Sequence, residues 1–321
     1  MTSIPSRLIA ALVGLIVGGV LLAFAFHGTP PANVWALLAA ADWGGPAVLV
    51  LAATAAFVGA KAMRWLLLLG APADLDTRKL LGPILAGLAL NALLPHSGEF
   101  VRALALQRRY GRAPAAVLSS IVTERVFDLF GVLLVGSTAL LAIRAAVEIA
   151  TAMRLIAIVA ALLAAAIVLA IALPARVTRL VEVLASPLPG PLREWIDRHL
   201  TAALAGFAPG WSVRTAVAAL ALSVLQWLAV AVAVYGCAAV IGLPVGLASS
   251  CLVVVGIVVA FLLPNAPGYS GSVQVAFLVA LKPLGFGEAG ALAASLVYQL
   301  LMVLPLIIAG LFCLRSSLAR P

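Results

Sequence analysis

The sequence predicts an all-α, polytopic integral membrane protein with about six full spans and two oppositely oriented re-entrant helical hairpins. Two observations lead to this prediction. Only 10% of the 321 residues are charged and 65% are hydrophobic, whereas a soluble chain carries about 25% charged residues. Several apolar stretches also reach the roughly 20 residues with which a helix crosses a hydrocarbon core of about 30 Å. These stretches are residues 8–26, 47–69, 115–143, 155–173 and 213–241.

The chain is interpreted as a single transmembrane domain over residues 1–321, because no polar run approaches the length of a second domain. The first apolar stretch is predicted to be a signal anchor, since no convincing small-residue cleavage site ends it. The longest polar stretch, residues 176–210, is predicted to be a cytoplasmic connector with an interfacial helix around Trp195. A plain cytoplasmic linker is the alternative.

The basic residues indicate how the chain threads the membrane. Most of the 20 lysines and arginines lie between apolar stretches, notably in residues 61–79, 102–112 and 176–214. Cytoplasmic loops carry an excess of such residues, so these three segments are assigned to the cytoplasm, and both termini follow. The net charge of +9 is therefore interpreted as membrane topology, and no nucleic-acid partner is predicted.

Two helical segments are predicted to enter the membrane and return to the same side. The first hairpin covers residues 80–106, and its first arm, residues 80–94, is about 22 Å long as a helix, too short for a full crossing. The second hairpin covers residues 247–284. The residues predicted to break the two hairpins are Pro95 and Gly98 in the first, and Pro264, Pro267, Gly268 and Gly271 in the second.

The two breaks resemble each other, because each follows a Leu-Leu-Pro sequence, at residues 93–95 and 262–264. Each hairpin also lies between two full spans, and the two would enter from opposite sides. This order is typical of an inverted repeat, in which discontinuous helices mark a binding site near the midplane. Two ordinary kinked helices are the alternative.

Charged side chains within spans are costly, so each one needs a partner or a function. The cluster that stands out is Glu99, Arg102, Glu124, Arg125 and Asp128. Glu124 and Asp128 are four residues apart on one helix face, and the spacing of three allows Arg125 to pair with Asp128. We predict a polar, substrate-binding chamber between the first hairpin and the following span. A purely structural ion network is the alternative.

The second break offers neutral hydrogen-bonding side chains, namely Asn265, Tyr269, Ser270 and Gln274. The glycines of this break permit positive φ and close backbone approach, so exposed amides there are predicted to help bind a phosphate or hydroxyl group.

No sequence motif of a hydrolase, kinase or redox enzyme is present, and the three cysteines are scattered in apolar surroundings. The chain is therefore not predicted to be an enzyme, and no cofactor or metal site is predicted.

Residues 91–102 read NALLPHSGEFVR, residues 123–128 read TERVFD, and residues 263–271 read LPNAPGYSG. In order and spacing these runs resemble the paired signatures of the lysylphosphatidylglycerol synthase transmembrane, flippase-like family. The resemblance implies a lipid-translocating fold without the aminoacyl-transferase domain that some relatives carry. Where relatives often have a glutamate after the second break, this chain has Gln274, so the resemblance implies no protonatable carboxylate there.

The function that follows is a lipid flippase-like transporter of the bacterial inner membrane. The resemblance leaves the lipid open among phospholipids, aminoacylated phosphatidylglycerol, polyprenyl-phosphate-linked lipids and hopanoid-type lipids. Arg102 and Arg125 are expected to attract a phosphate, while the carboxylates hold these arginines or exchange protons or a cationic group. The alternatives are a scaffold or accessory subunit for a lipid-modifying enzyme, and an enzyme that acts on lipid within the membrane.

Overall fold

The computed structural model describes residues 6–94, 97–142, 174–187, 189–190, 193–194, 213–261 and 266–318, together with residues 151, 158 and 162. No strand occurs among these residues, and the all-α prediction is confirmed for them. Four features predicted from the sequence lie wholly or mostly outside the described residues: the span at 155–173, Pro95, the Pro264–Asn265 pair and the interfacial helix around Trp195.

The structure describes twelve α-helices among these residues. The first half contains α1 (Ser6–Ala25), α2 (Pro31–Ala39), α3 (Gly45–Leu68), α4 (Thr77–Leu93), α5 (Ser97–Tyr110) and α6 (Pro114–Ala142). The second half contains α7 (Pro174–Ala185), α8 (Val213–Val240), α9 (Leu247–Ala260), α10 (Ser272–Leu281), α11 (Glu288–Tyr298) and α12 (Leu304–Leu318). A π-helical turn, Gln299–Val303, joins α11 to α12 without a break.

Three helical segments within the described residues are long and apolar enough to cross a membrane: Gly45–Leu68, Arg214–Val240 and Glu288–Arg315. They support the assignment as a membrane protein, while the total of about six spans stays a prediction. Helix α6 has 29 residues, but it carries Glu124, Arg125 and Asp128 within one turn. These three charged residues bind side chains of neighbouring helices.

Helices α4 and α5 form a tight antiparallel hairpin. A Cβ added to Gly98 would lie 2.0 Å from the Gly87 carbonyl oxygen, so the arms meet backbone to backbone. Asn91 Oδ1 accepts a hydrogen bond from the Gly98 backbone N–H at 2.7 Å and closes the break. An ion pair between Asp74 and Arg112 joins the two flanks of the hairpin. The hairpin therefore returns to the end of the molecule from which it starts.

The helices of this first hairpin run from residue 77 to residue 110, beyond the predicted 80–106. The reason at the start is a helix cap, since Asp76 Oδ1 accepts a hydrogen bond from the Lys79 backbone N–H at 2.8 Å. At the other end, α5 continues through its polar last turn to Tyr110.

Helices α9 and α10 form the second hairpin, within the predicted residues 247–284. The break contains a 3₁₀ turn at Pro267–Tyr269, and Gly268 and Gly271 have φ of 71° and 85°. The glycines therefore use the positive φ that their lack of a side chain permits. The Gln274 amide oxygen accepts from the Gly271 N–H at 2.8 Å, so this break is also closed by a side-chain amide.

Each hairpin packs against a helix from the other half of the chain. Helices α3 and α8 pack side by side and run antiparallel, because Asp42 is bonded to Val240 at one end and Arg64 to Ser223 towards the other. Helix α4 packs against α12, and α9 packs against α6. The first arm of each hairpin therefore contacts the helix that follows the other hairpin.

Helix α7 was not predicted as a helix. It lies largely within the polar connector and exposes Leu180, Val183 and Leu184, which share one face at helical spacing. This pattern is typical of a helix that lies along a membrane surface.

Candidate functional site

A network of buried charges connects α3, α5 and α6. Its centre is Glu124 on α6, whose side chain is only 1% exposed. Glu124 accepts hydrogen bonds from Lys61 Nζ, from Arg64 Nη2 at 3.2 Å and from Arg102 Nη2 at 2.6 Å. One carboxylate therefore binds three cations that come from two other helices.

Asp128, one turn further along α6, extends the network to α8. Its Oδ1 accepts from Arg64 Nη1 at 2.7 Å and from Gln226 Nε2 at 3.0 Å. Arg64 Nη1 also donates to Ser223 Oγ at 2.5 Å. The Arg64 side chain has no solvent exposure, so this guanidinium is held wholly by protein groups.

Trp65 supports the network from α3. The Arg102 guanidinium lies over the Trp65 ring, 3.9 Å from its centroid, which is a favourable cation–π position. Trp65 Nε1 in turn donates to Ser120 Oγ at 3.0 Å. The return arm of the first hairpin is thereby fixed against α3 and α6.

The buried network has an excess of positive charge. Three cations, Lys61, Arg64 and Arg102, face two carboxylates, Glu124 and Asp128, which leaves one positive charge over. The Nε atoms of both arginines are buried and have no hydrogen-bond acceptor within the described part of the chain. Because a buried uncompensated cation is costly, the site favours the approach of an anion.

A second ion pair lies nearer the surface. Arg125 Nη2 donates to Glu99 Oε1 at 2.5 Å, and the two side chains are 52% and 17% exposed. Asn91 Nδ2 also donates to Glu99, at 3.3 Å. The spacing that allows Arg125 to pair with Asp128 does not give a direct ion pair: Arg125 bonds Glu99, although Asp128 and Glu124 lie close enough to interact with Arg125 electrostatically. The charged residues therefore form a buried network and a more exposed ion pair, which interact electrostatically.

The cytoplasmic position assigned to Lys61 and Arg64 from the sequence is not the one that the structure shows. They were assigned to a basic cytoplasmic connector, but both lie inside α3 and are buried in the network. A signal was available, since residues 47–69 were already recognised as an apolar span and Lys61 and Arg64 lie three residues apart on one helix face. Ser223 and Gln226 were also missed, and no motif marked them.

Two of the residues predicted at the second break, Ser270 and Gln274, serve local structure. Gln274 is fully buried, and besides accepting from Gly271 it donates to Gln299 Oε1 at 2.7 Å. Ser270 Oγ donates to the Pro267 carbonyl oxygen at 3.2 Å. Gln274 therefore positions the break, and among the described residues of this set Tyr269 extends towards the charged residues of the first half.

Tyr269 connects the two breaks. Its ring stacks on Phe261 with 4.2 Å between centroids, and it lies close enough to Arg125 and Glu99 to interact with them electrostatically. The residues that the structure brings together are therefore Glu99, Arg102, Glu124, Arg125 and Asp128, with Tyr269 at their edge.

An apolar cavity of about 550 Å³, including its open mouth, lies between helices of both halves, two of which also carry residues of the ionic network. It is lined by both hairpins, by α3 and α8 and by the π-helical turn. Phe57 in its wall is one helical turn from Lys61, and Trp227 follows Gln226 directly. A positively charged site and an apolar cavity thus share two helices, which is an arrangement suited to an amphipathic ligand.

The sequence model of the family described as "Lysylphosphatidylglycerol synthase TM region" matches residues 11–310. The match covers 300 of the 321 residues and includes both hairpins, the ionic network and the apolar cavity. No curated protein shows a significant match to the chain.

Proposed function

The chain belongs to the lysylphosphatidylglycerol synthase TM region family, a membrane family linked to lipid metabolism, and from this premise we propose that it is a flippase-like lipid transporter. Its substrate in this proposal is a lipid with an anionic, phosphate-containing headgroup. Its location is the bacterial inner membrane, with both termini in the cytoplasm. No catalytic step on the lipid is part of the proposal.

The observation that carries this proposal is the excess positive charge beside an apolar cavity. Arginine guanidinium groups bind phosphate oxygens in a fork geometry, and Arg125 is half-exposed at the mouth of the charged region. The cavity offers an apolar surface for the rest of the lipid. The residues proposed to bind substrate are Glu99, Arg102, Glu124, Arg125, Asp128 and Tyr269.

The proposal includes two re-entrant hairpins in an inverted repeat. The Asp74–Arg112 ion pair supports the return of the first hairpin to its starting side. The antiparallel pair α3 and α8, and the exchange of hairpin arms between the halves, support a twofold axis perpendicular to these helices. In transporters of this kind the discontinuous helices border the substrate site.

Cysteine labelling tests this topology. In a chain whose Cys313 is replaced by serine, cysteines at Ala73 and Ala113 should react only with reagents added from the cytoplasmic side. Cysteines at His27 and Gly287 should react only from the periplasmic side. All four positions are exposed, so a lack of access reflects the membrane. If positions 73 and 113 reacted from opposite sides, the first hairpin would cross the membrane and would not be re-entrant.

Lipid flux in proteoliposomes tests transport itself. A fluorescent phospholipid should move between leaflets faster with the reconstituted chain than in empty liposomes, as measured by quenching from outside. Runs with and without a proton gradient show whether movement is coupled to protons. Rates equal to those of empty liposomes for several headgroups would argue against transport.

The second candidate is a scaffold or accessory subunit for a lipid-modifying enzyme. It is favoured by the dense bonding of the inner network, because buried ion pairs can fix helix registry without any role in transport. A scaffold does not move lipid between leaflets, and its function does not depend on the half-exposed Arg125.

A further inference from the structure

The buried ionic network contains one cation that can change its charge. Arginine guanidinium groups are not deprotonated in proteins, whereas a buried lysine amine can lose its proton. Among the three cations of the network, Arg64 and Arg102 therefore stay positive and the charge of Lys61 can vary. The Lys61 side chain is 7% exposed and that of Arg64 is 0% exposed. The protein thus encloses the lysine less completely than the arginine beside it.

The charge balance of the network depends on the state of Lys61. The charged groups that interact with it electrostatically lie on its own helix and on α5 and α6: Arg64, Arg102, Glu124 and Asp128. Helix α8 contributes the neutral side chains Ser223 and Gln226. The more exposed Arg125–Glu99 pair adds one charge of each sign. Protonated Lys61 therefore gives an excess of one positive charge, and neutral Lys61 gives a balanced network.

The network keeps its bonds in both states. A neutral Lys61 amine still donates to the Glu124 carboxylate, and the ion pairs of Arg64 with Asp128 and of Arg102 with Glu124 do not involve it. Protonation of either carboxylate would instead increase the positive excess. A variable proton is therefore least costly on Lys61, and the two charge states of the network differ by that proton alone.

We propose that Lys61 binds a proton together with the anionic lipid. The amine takes up one proton from water as the phosphate enters the site, and returns it to water when the lipid leaves. This role of Lys61 rests on the proposed function, because it requires an anionic headgroup at the network. A phosphodiester carries one negative charge, which balances the excess of the protonated network. In the balanced network the same anion would be uncompensated, which is costly within a membrane.

Two consequences follow for transport. Lipid binding and proton binding strengthen each other, because each ligand compensates the charge of the other. The loaded site is also electrically neutral, so the lipid and the proton cross together as a symport. A proton gradient is thereby an energy source for moving an anionic lipid towards the more alkaline side.

Calorimetry of lipid binding counts the proton without measuring transport. Short-chain phosphatidylglycerol is titrated into the purified full chain in nonionic detergent, over roughly pH 6 to 9, where buried lysines can titrate. Each titration is repeated in two buffers with different ionisation enthalpies. A phosphodiester does not titrate in this range, so proton uptake belongs to the protein. The wild-type chain should take up as much as about one proton per lipid, and its affinity should fall with rising pH by up to about tenfold per unit.

Lys61→Met is the decisive variant, because methionine has nearly the length of lysine and binds no proton. Its network is balanced at every pH, so the variant should keep its melting temperature near the wild-type value. It should take up no proton, and its affinity should equal that of the wild type at high pH and stay constant. Lys79→Met is the matched control, since Lys79 is an exposed lysine of α4 whose amine donates to the Asp74 carbonyl oxygen. It should leave proton uptake and affinity unchanged.

The outcomes separate the role of Lys61 from the proposed function. Lipid binding without proton uptake in the wild type would overturn this role and leave the anion site standing, and this result needs no variant. Proton uptake that persists in Lys61→Met would overturn it too. Absence of lipid binding at every pH would overturn the anionic substrate and the role of Lys61 together. In liposomes, wild-type flux of phosphatidylglycerol that does not respond to a proton gradient would leave transport intact and refute the symport.

Discussion

Glu124→Gln is expected to destabilise the protein by about 3–5 kcal/mol, the usual cost of breaking a buried ion pair from one side. Glutamine has nearly the size of glutamate, so packing is preserved. Its neutral amide leaves Lys61, Arg64 and Arg102 facing Asp128 alone, and the positive excess rises from one charge to two. The expected result is a large loss of melting temperature in detergent.

A matched control and a second-site change make this result specific. Asp74→Asn breaks the exposed Asp74–Arg112 pair, whose side chains are 51% and 35% exposed, and should cost less than about 1 kcal/mol. Adding Lys61→Met to Glu124→Gln returns the excess to one charge, so part of the lost stability should return. A Glu124→Gln protein with the wild-type melting temperature would show that the network does not hold the helices together.

The helical class and the positions of the helix breaks could be predicted from the sequence because they depend on local signals. Apolar length sets the helices, and the Pro, Gly and small polar residues agree with where they stop: α4 ends at Leu93 and α5 begins at Ser97, while α9 ends at Ala260 and α10 begins at Ser272. Backbone conformation at a glycine is also local, and Gly268 and Gly271 both have the positive φ that glycine permits.

The partners of the charged residues were harder to predict because they depend on tertiary packing. Asp128 bonds Gln226, which lies 98 positions away, and Arg64 bonds Ser223, 159 positions away. A spacing of three residues made the Arg125–Asp128 pair plausible, but helix packing directs the two side chains to different neighbours. Local sequence rules count only partners on the same helix, so they could not identify Glu99 as the direct ion-pair partner of Arg125.

The role of Gln274 shows a second limit of prediction from sequence. Its amide type and its position after the break marked it as a polar site residue, and it is polar, buried and close to the break as expected. Its two amide atoms, however, bond Gly271 and Gln299, so both are used by the fold. Asn91 closes the first break in a similar way, through Gly98. A sequence shows hydrogen-bonding capacity, but not whether the backbone already uses it.

Arg125→Ala is expected to leave the protein folded and to reduce lipid flux by roughly tenfold to a hundredfold. Arg125 is half-exposed and its ion-pair partner is Glu99, so its removal leaves the inner network around Glu124 intact. Glu99 keeps the hydrogen bond from Asn91. The flux loss corresponds to one charge-assisted hydrogen bond to phosphate, about 1.5–3 kcal/mol. Arg125→Lys should be partly active, because a point charge replaces the guanidinium fork.

Melting temperature in detergent and flux in liposomes must be measured on the same preparations of each variant. Arg112→Ala is the matched control, since Arg112 is also a partly exposed arginine in an ion pair but lies outside the site. It should leave both quantities near their wild-type values. A loss of stability in Arg125→Ala as large as that of Glu124→Gln would make Arg125 a structural residue. A stable Arg125→Ala protein with wild-type flux would remove Arg125 from the transport path, because a phosphate that needed this guanidinium could not cross at the same rate without it.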